Sequence, residues 1–108
     1  EMAANKLAAA EQKANAKMRA FCLDSPLPEQ MQYSSICKAG NASEVVMQAI
    51  DSKKIDLVIM GTKGAGGLKK VLLGSNAAHV MERASVPVLV VPSRYRFKSI
   101  KRLLYASA

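Results

Sequence analysis

Residues 56–60 read Asp56-Leu-Val-Ile-Met60, in which an acidic residue leads into an unbroken apolar run that stops at Gly61. The run is too short for a helix and lacks the alternation of a strand with one wet face, so it predicts a parallel strand covered on both sides. Parallel strands need long crossover connections. The flanking sequence supplies them. A second apolar run spans residues 86–91, and between the two lie a Gly-rich loop over residues 61–67, a basic amphipathic turn through Leu68, Lys69, Lys70, Val71 and Leu72, and a helical stretch over residues 75–84. Ahead of the first run, Asn41 followed three places on by Glu44 is a helix start signal. Ala42, Val45, Val46, Ala49 and Ile50 hold one apolar face from there, and Lys53 and Lys54 suit the negative end of the helix dipole. Residues 31–38 read as a short strand. Residues 1–19 are strong helix formers, with Leu7, Ala10, Ala14, Met18 and Phe21 spaced to make a thin apolar stripe for a covering helix. Pro26 and Pro28 place a loop between that helix and the strand. The alternation of helix and strand predicts an α/β fold with an open parallel sheet flanked by helices, built through right-handed crossovers.

Size and charge limit what such a fold can do. The 108 residues suffice for one domain of ordinary size. Sixteen Lys and Arg against eight Asp and Glu give a net charge of +8, which favours phosphate-bearing or otherwise acidic partners without choosing among them. No apolar run approaches the ~20 residues of a membrane-spanning helix. Cys22 and Cys37 match neither a metal-ligand array nor a secreted disulfide framework, and an intracellular thiol pair is the plainer reading. The polar, Ala-rich start has no signal-peptide pattern, so the expected location is cytoplasmic.

The glycines carry the functional argument. Gly61 ends the apolar strand, Gly64 follows after two residues, and Gly74 with Ser75 follows after nine more. In an open parallel sheet the ligand crevice lies beyond the carboxyl ends of the strands, where the segment from Gly61 to Gly64 falls. Gly74 and Ser75 open a helix whose free N–H groups favour an anion such as phosphate. Ser75 can bond a phosphate oxygen or serve as an ordinary N-cap. Lys63, Lys69 and Lys70 add positive charge nearby. Glycines alone would do no more than shape a loop; the strand before them, the helix after them and the spacing favour phosphate binding.

Three segments, Asp56-Leu-Val-Ile-Met-Gly-Thr-Lys-Gly64, Leu72-Leu-Gly-Ser-Asn-Ala77 and Val86-Pro-Val-Leu-Val-Val-Pro92, closely resemble the nucleotide-binding half of the universal stress proteins. The resemblance covers residues 1–92 as the C-terminal two-thirds of such a domain. It implies a five-stranded parallel sheet with order 3-2-1-4-5, incomplete here at the N-terminus. It also implies ATP, with Mg, held by Gly61, Thr62, Lys63, Gly64, Gly74, Ser75 and Asn76, and at most slow ATP hydrolysis. Residues 93–99 become a linker, and Ile100-Lys-Arg-Leu-Leu-Tyr-Ala-Ser107 resembles the first strand of a following domain, as in tandem members, so the chain is expected to be a piece of a longer protein. Ala108 stands where ATP-binding members place an adenine-contacting aspartate. The resemblance further implies a homodimer paired through Val88, Leu89, Val90 and Val91. With the first strands missing, the segment from Ile100 to Tyr105 is expected to pair with another chain or with a displaced part of the sheet. The alternative, of a different class, is a structural or assembly module that binds no nucleotide and dimerises through its sheet edge.

Other residues carry less. His79 falls off the apolar face set by Ala77, Ala78, Met81 and Ala84, a solvated position that offers no base for hydrolysis. Arg94-Tyr-Arg-Phe-Lys98 alternates basic and aromatic side chains, a pattern able to pair with phosphates and stack on bases. A solvated linker is the plainer reading, and neither nucleic acid nor a membrane is expected as a partner. The six methionines read as core filler.

Overall fold

The computed structural model describes residues 2–25, 27–62 and 73–107. The chain forms two compact units, Glu1–Asn41 and Ala42–Ala108.

The first unit holds helix α1, Met2–Asp24. It runs past the expected end at Arg19, because Phe21, Cys22 and Leu23 continue the helix until the prolines intervene, and the Ser25 N–H still donates to the Phe21 carbonyl at 3.0 Å. No residue of α1 is buried. A turn follows, with the Met31 N–H donating to the Pro28 carbonyl at 2.9 Å. Residues 31–38 do not form the expected strand. A strand needs a neighbour to take its backbone hydrogen bonds, and the ladder among the described residues joins only the two strands of the second unit. Gly40, at φ 133°, turns the chain in a region that side-chain-bearing residues rarely adopt.

The second unit is the α/β part. Helix α2, Ala42–Ser52, starts after Asn41 as the Asn41 and Glu44 pair signals. It ends in a reversal in which Lys54 adopts φ 50° and the Ile55 N–H donates back to the Ile50 carbonyl at 3.1 Å. That six-to-one bond around a left-handed residue is a Schellman cap. Strand β1, Val58–Gly61, and strand β2, Val88–Val91, pair in parallel with Val58 beside Val88 and Gly61 beside Val91. Both begin two residues later than the expected segments at 56–60 and 86–91. Helix α3, Ser75–Arg83, packs against α2 and β2. Ile50, Ala77 and Val80 form the buried apolar core among the described residues.

The α/β class and the parallel pairing are as the sequence predicts, but among the described residues the five-stranded sheet implied by the resemblance is represented by two strands. Nor is the sheet covered on both faces: Val58, Met60, Val88 and Val90 are half-buried, whereas Ile59 is 64% and Leu89 52% exposed. Residues 100–105 form no strand either.

Candidate phosphate-binding site

The end of β1 and the start of α3 meet where the sequence places the site. β1 delivers Gly61 and then Thr62, which is buried and whose N–H extends the ladder by donating to the Val91 carbonyl at 3.3 Å. The Thr62 carbonyl in turn accepts a 2.6 Å hydrogen bond from the Gly74 N–H. The carboxyl end of a parallel strand is thus tied to the residue that starts α3. Of the expected site residues, Gly61, Thr62, Gly74, Ser75 and Asn76 are brought to this junction; Lys63 and Gly64, with Lys69 and Lys70, lie outside the described residues.

One of the two roles open to Ser75 is corrected. Gly74, with φ −64° and ψ 156°, occupies the N-cap position, and Ser75 is the first residue of the helix. Chain geometry decides this: the Gly74 carbonyl takes the first helical bond, from the Ala78 N–H at 3.0 Å, and the Gly74 N–H is drawn to Thr62. Glycine has no side chain with which to close the helix start, and no side-chain cap bond is made there. The first turn also lacks an acidic residue, while Arg83 lies in the last turn. The N-terminal N–H groups of α3 and the positive end of its dipole therefore meet no competing side-chain acceptor from the cap. Ser75 and Asn76, both exposed, add hydroxyl and amide donors. Such a set of donors at a helix start can hold an anion.

Gly74 sits in a conformation open to any L-residue, so its glycine is not there for a positive φ. What it provides is the lack of a side chain in front of the helix.

Elsewhere the second unit has a shallow groove of about 330 Å³ between α2 and α3, lined by Ser43, Glu44, Met47, Gln48, His79 and Arg83. His79 is exposed as the periodicity predicts, and the groove itself has no signature in the one-dimensional pattern because it joins two helices. In the first unit, Cys22 and Cys37 are free and half-buried. No group of His, Cys, Asp and Glu suited to a metal ion occurs among the described residues, and none of the described helices is long and apolar enough to cross a membrane.

Comparison with known proteins gives a consistent picture. The model of the "Universal stress protein family" matches residues 2–92. Universal stress protein MJ0531 of Methanocaldococcus jannaschii is 52% identical over 50 residues, which cover 46% of this chain and 29% of that protein. A universal stress protein of Thermus aquaticus, named for its place in the QAH/OAS sulfhydrylase 3′ region, is 40% identical over 52 residues, 48% of this chain and 38% of its own length. Universal stress protein MJ0577 of Methanocaldococcus jannaschii is 36% identical over 60 residues, 56% of this chain and 37% of its own. The chain thus spans well under half the length of each of these relatives.

Proposed function

The chain belongs to the universal stress protein family, and on that premise we propose that it is an adenine-nucleotide-binding stress-response domain acting as a signalling or interaction module. The observation that carries the proposal is the junction of Thr62 with Gly74. It sets an uncapped helix start directly beyond the carboxyl end of β1, the place where open α/β sheets receive ligands. Ser75 and Asn76 would hold phosphate oxygens through main-chain N–H groups and side chains. Gly61, Thr62, Lys63 and Gly64 are the further residues that the resemblance assigns to the nucleotide. ATP, taken up with Mg, would bring a polyanion that this positive helix end favours. The net charge of +8 would raise its local concentration.

Calorimetric titration of the chain with Mg-ATP tests this reading. A saturable heat that Gly64→Val or Gly74→Val diminishes is the expected result, and the absence of any saturable heat at high protein concentration would sink it.

One observation favours a second reading, an assembly module that works without nucleotide. Among the described residues β2 pairs only with β1, so its outer edge offers unpaired backbone groups of the kind that invite another strand. Dimerisation through Val88, Leu89, Val90 and Val91 would show as a dimer by sedimentation at micromolar concentration, and a monomer there would refute it.

A further inference from the structure

The outward side of α3 carries a titratable group that the nucleotide reading leaves unused. At 3.6 residues per turn Ser75, Asn76, His79, Glu82 and Arg83, all of them exposed, share a side of the helix about 120° wide, and the buried Ala77 and Val80 lie outside it. His79 falls between Ser75 and Asn76 in direction and one turn further along. It follows Ser75 by four residues and Asn76 by three, the two spacings at which helix side chains are neighbours, with Cβ atoms roughly 5–6 Å apart. Side chains of a helix also lean toward its N-terminus and cover the turn before their own Cα. That lean brings the imidazole toward the two side chains proposed to hold phosphate oxygens. Exposure matches the solvated position that periodicity gives His79, and the solvated side is the one that Ser75 and Asn76 share.

Charge sets what this placement can do. His79 is the only histidine of the chain, and histidine is the side chain that changes charge between roughly pH 5 and 8. The charged groups around it are Glu44, which faces it from α2 across the groove, and Glu82 and Arg83 on its own helix. Strand β2, the other element packed against α3, is Val88-Leu-Val-Val91 and brings none. All of these are present with or without a ligand, so a phosphate at Ser75 and Asn76 is the new charge that the imidazole meets. We infer that His79, when it carries a proton, joins the phosphate-holding set, so that nucleotide binding tightens as the pH falls. The inference rests on the nucleotide reading above and adds proton control to that same site.

Linkage fixes the sign in both directions. A ligand that prefers the imidazolium form raises the pH at which His79 gives up its proton, by the same factor as protonation strengthens binding. For one charge about 5 Å from one phosphate charge in water that factor is about fourfold, which corresponds to a rise of about 0.6 in the pH midpoint.

Proton NMR of the imidazole C–H signals, which a single histidine makes unambiguous, tests the inference through pH titrations with and without saturating Mg-ATP. The His79 midpoint should rise by about 0.6 with nucleotide bound. Calorimetry at about pH 8 and about pH 5.5, on either side of the imidazole range, gives the reciprocal measurement. The His79→Gln chain serves there as the reference that cancels protonation of the nucleotide itself. The affinity of the parent relative to that variant should grow about fourfold at the lower pH. A midpoint that saturating Mg-ATP leaves in place overturns the inference, as does a parent-to-variant ratio equal at both pH values, and either result leaves the nucleotide reading standing. Absence of saturable heat from the parent at both pH values overturns that reading and the inference with it.

Discussion

The Gly74 N–H donates to the Thr62 carbonyl across 2.6 Å, fixing both ends of the intervening loop to the sheet and to α3. The Gly74 amide is satisfied by this bond, while the amides that follow open α3 without a side-chain cap. Hydrogen exchange followed by NMR should therefore find Gly74 protected and Ser75 and Asn76 exchanging faster in the free protein. Saturating Mg-ATP should slow the latter two. Equal exchange at all three positions would contradict the arrangement.

The cap of α2 carries a testable strain. Lys54 holds φ 50°, a conformation that costs a residue with a Cβ about 1–2 kcal/mol and costs glycine little. Lys54→Gly should raise stability by up to about 1 kcal/mol, the gain being reduced by the greater freedom of glycine in the unfolded chain. Gly40→Ala should do the reverse, by about 1–3 kcal/mol, since φ 133° is foreign to alanine although nothing lies within 4 Å of the added Cβ. Thermal unfolding of the two variants checks both signs.

A third contrast lies in the core. Val80 is fully buried, at 0% exposure, beside Ile50 and Ala77. Val80→Ala should cost about 2 kcal/mol through lost burial and the cavity left behind. Ile59→Thr, at an exposed position of β1, should stay within about 0.5 kcal/mol of neutral. Denaturant midpoints measured side by side would reveal an error in either assignment.

That contrast also shows how far the sequence could be read. The runs around Ile59 and Leu89 reveal two parallel strands because local hydrophobicity marks them, and Asn41 with Glu44 marks the start of α2. The same local reading cannot say whether a partner exists. Residues 31–38 and 100–105 are composed much as strands are, yet a strand is a property of two segments, and no ladder forms there. The apolar run likewise predicts two covered faces, whereas cover depends on what packs above Ile59 and Leu89. At the site, spacing identified Gly74 and Ser75 together but could not assign the N-cap between them. That choice is made by the Gly74 hydrogen bond to Thr62, which links residues from two different elements and leaves no mark in either alone.

The proposed function requires that the helix start at Gly74 be kept open for a nucleotide. Gly74→Asp separates ligand binding from folding, because an aspartate N-cap closes the helix start and complements its dipole, adding a few tenths to about 1 kcal/mol to the stability of the free protein. The same carboxylate would occupy the donors meant for phosphate and repel it. Titration of the parent and the Gly74→Asp chain with Mg-ATP, alongside their unfolding midpoints without ligand, is the most direct measurement. Saturable binding by the parent is expected, with an affinity lower by roughly tenfold or more in the variant and a variant midpoint at or above that of the parent. Indistinguishable titrations, or no binding by the parent, would contradict it.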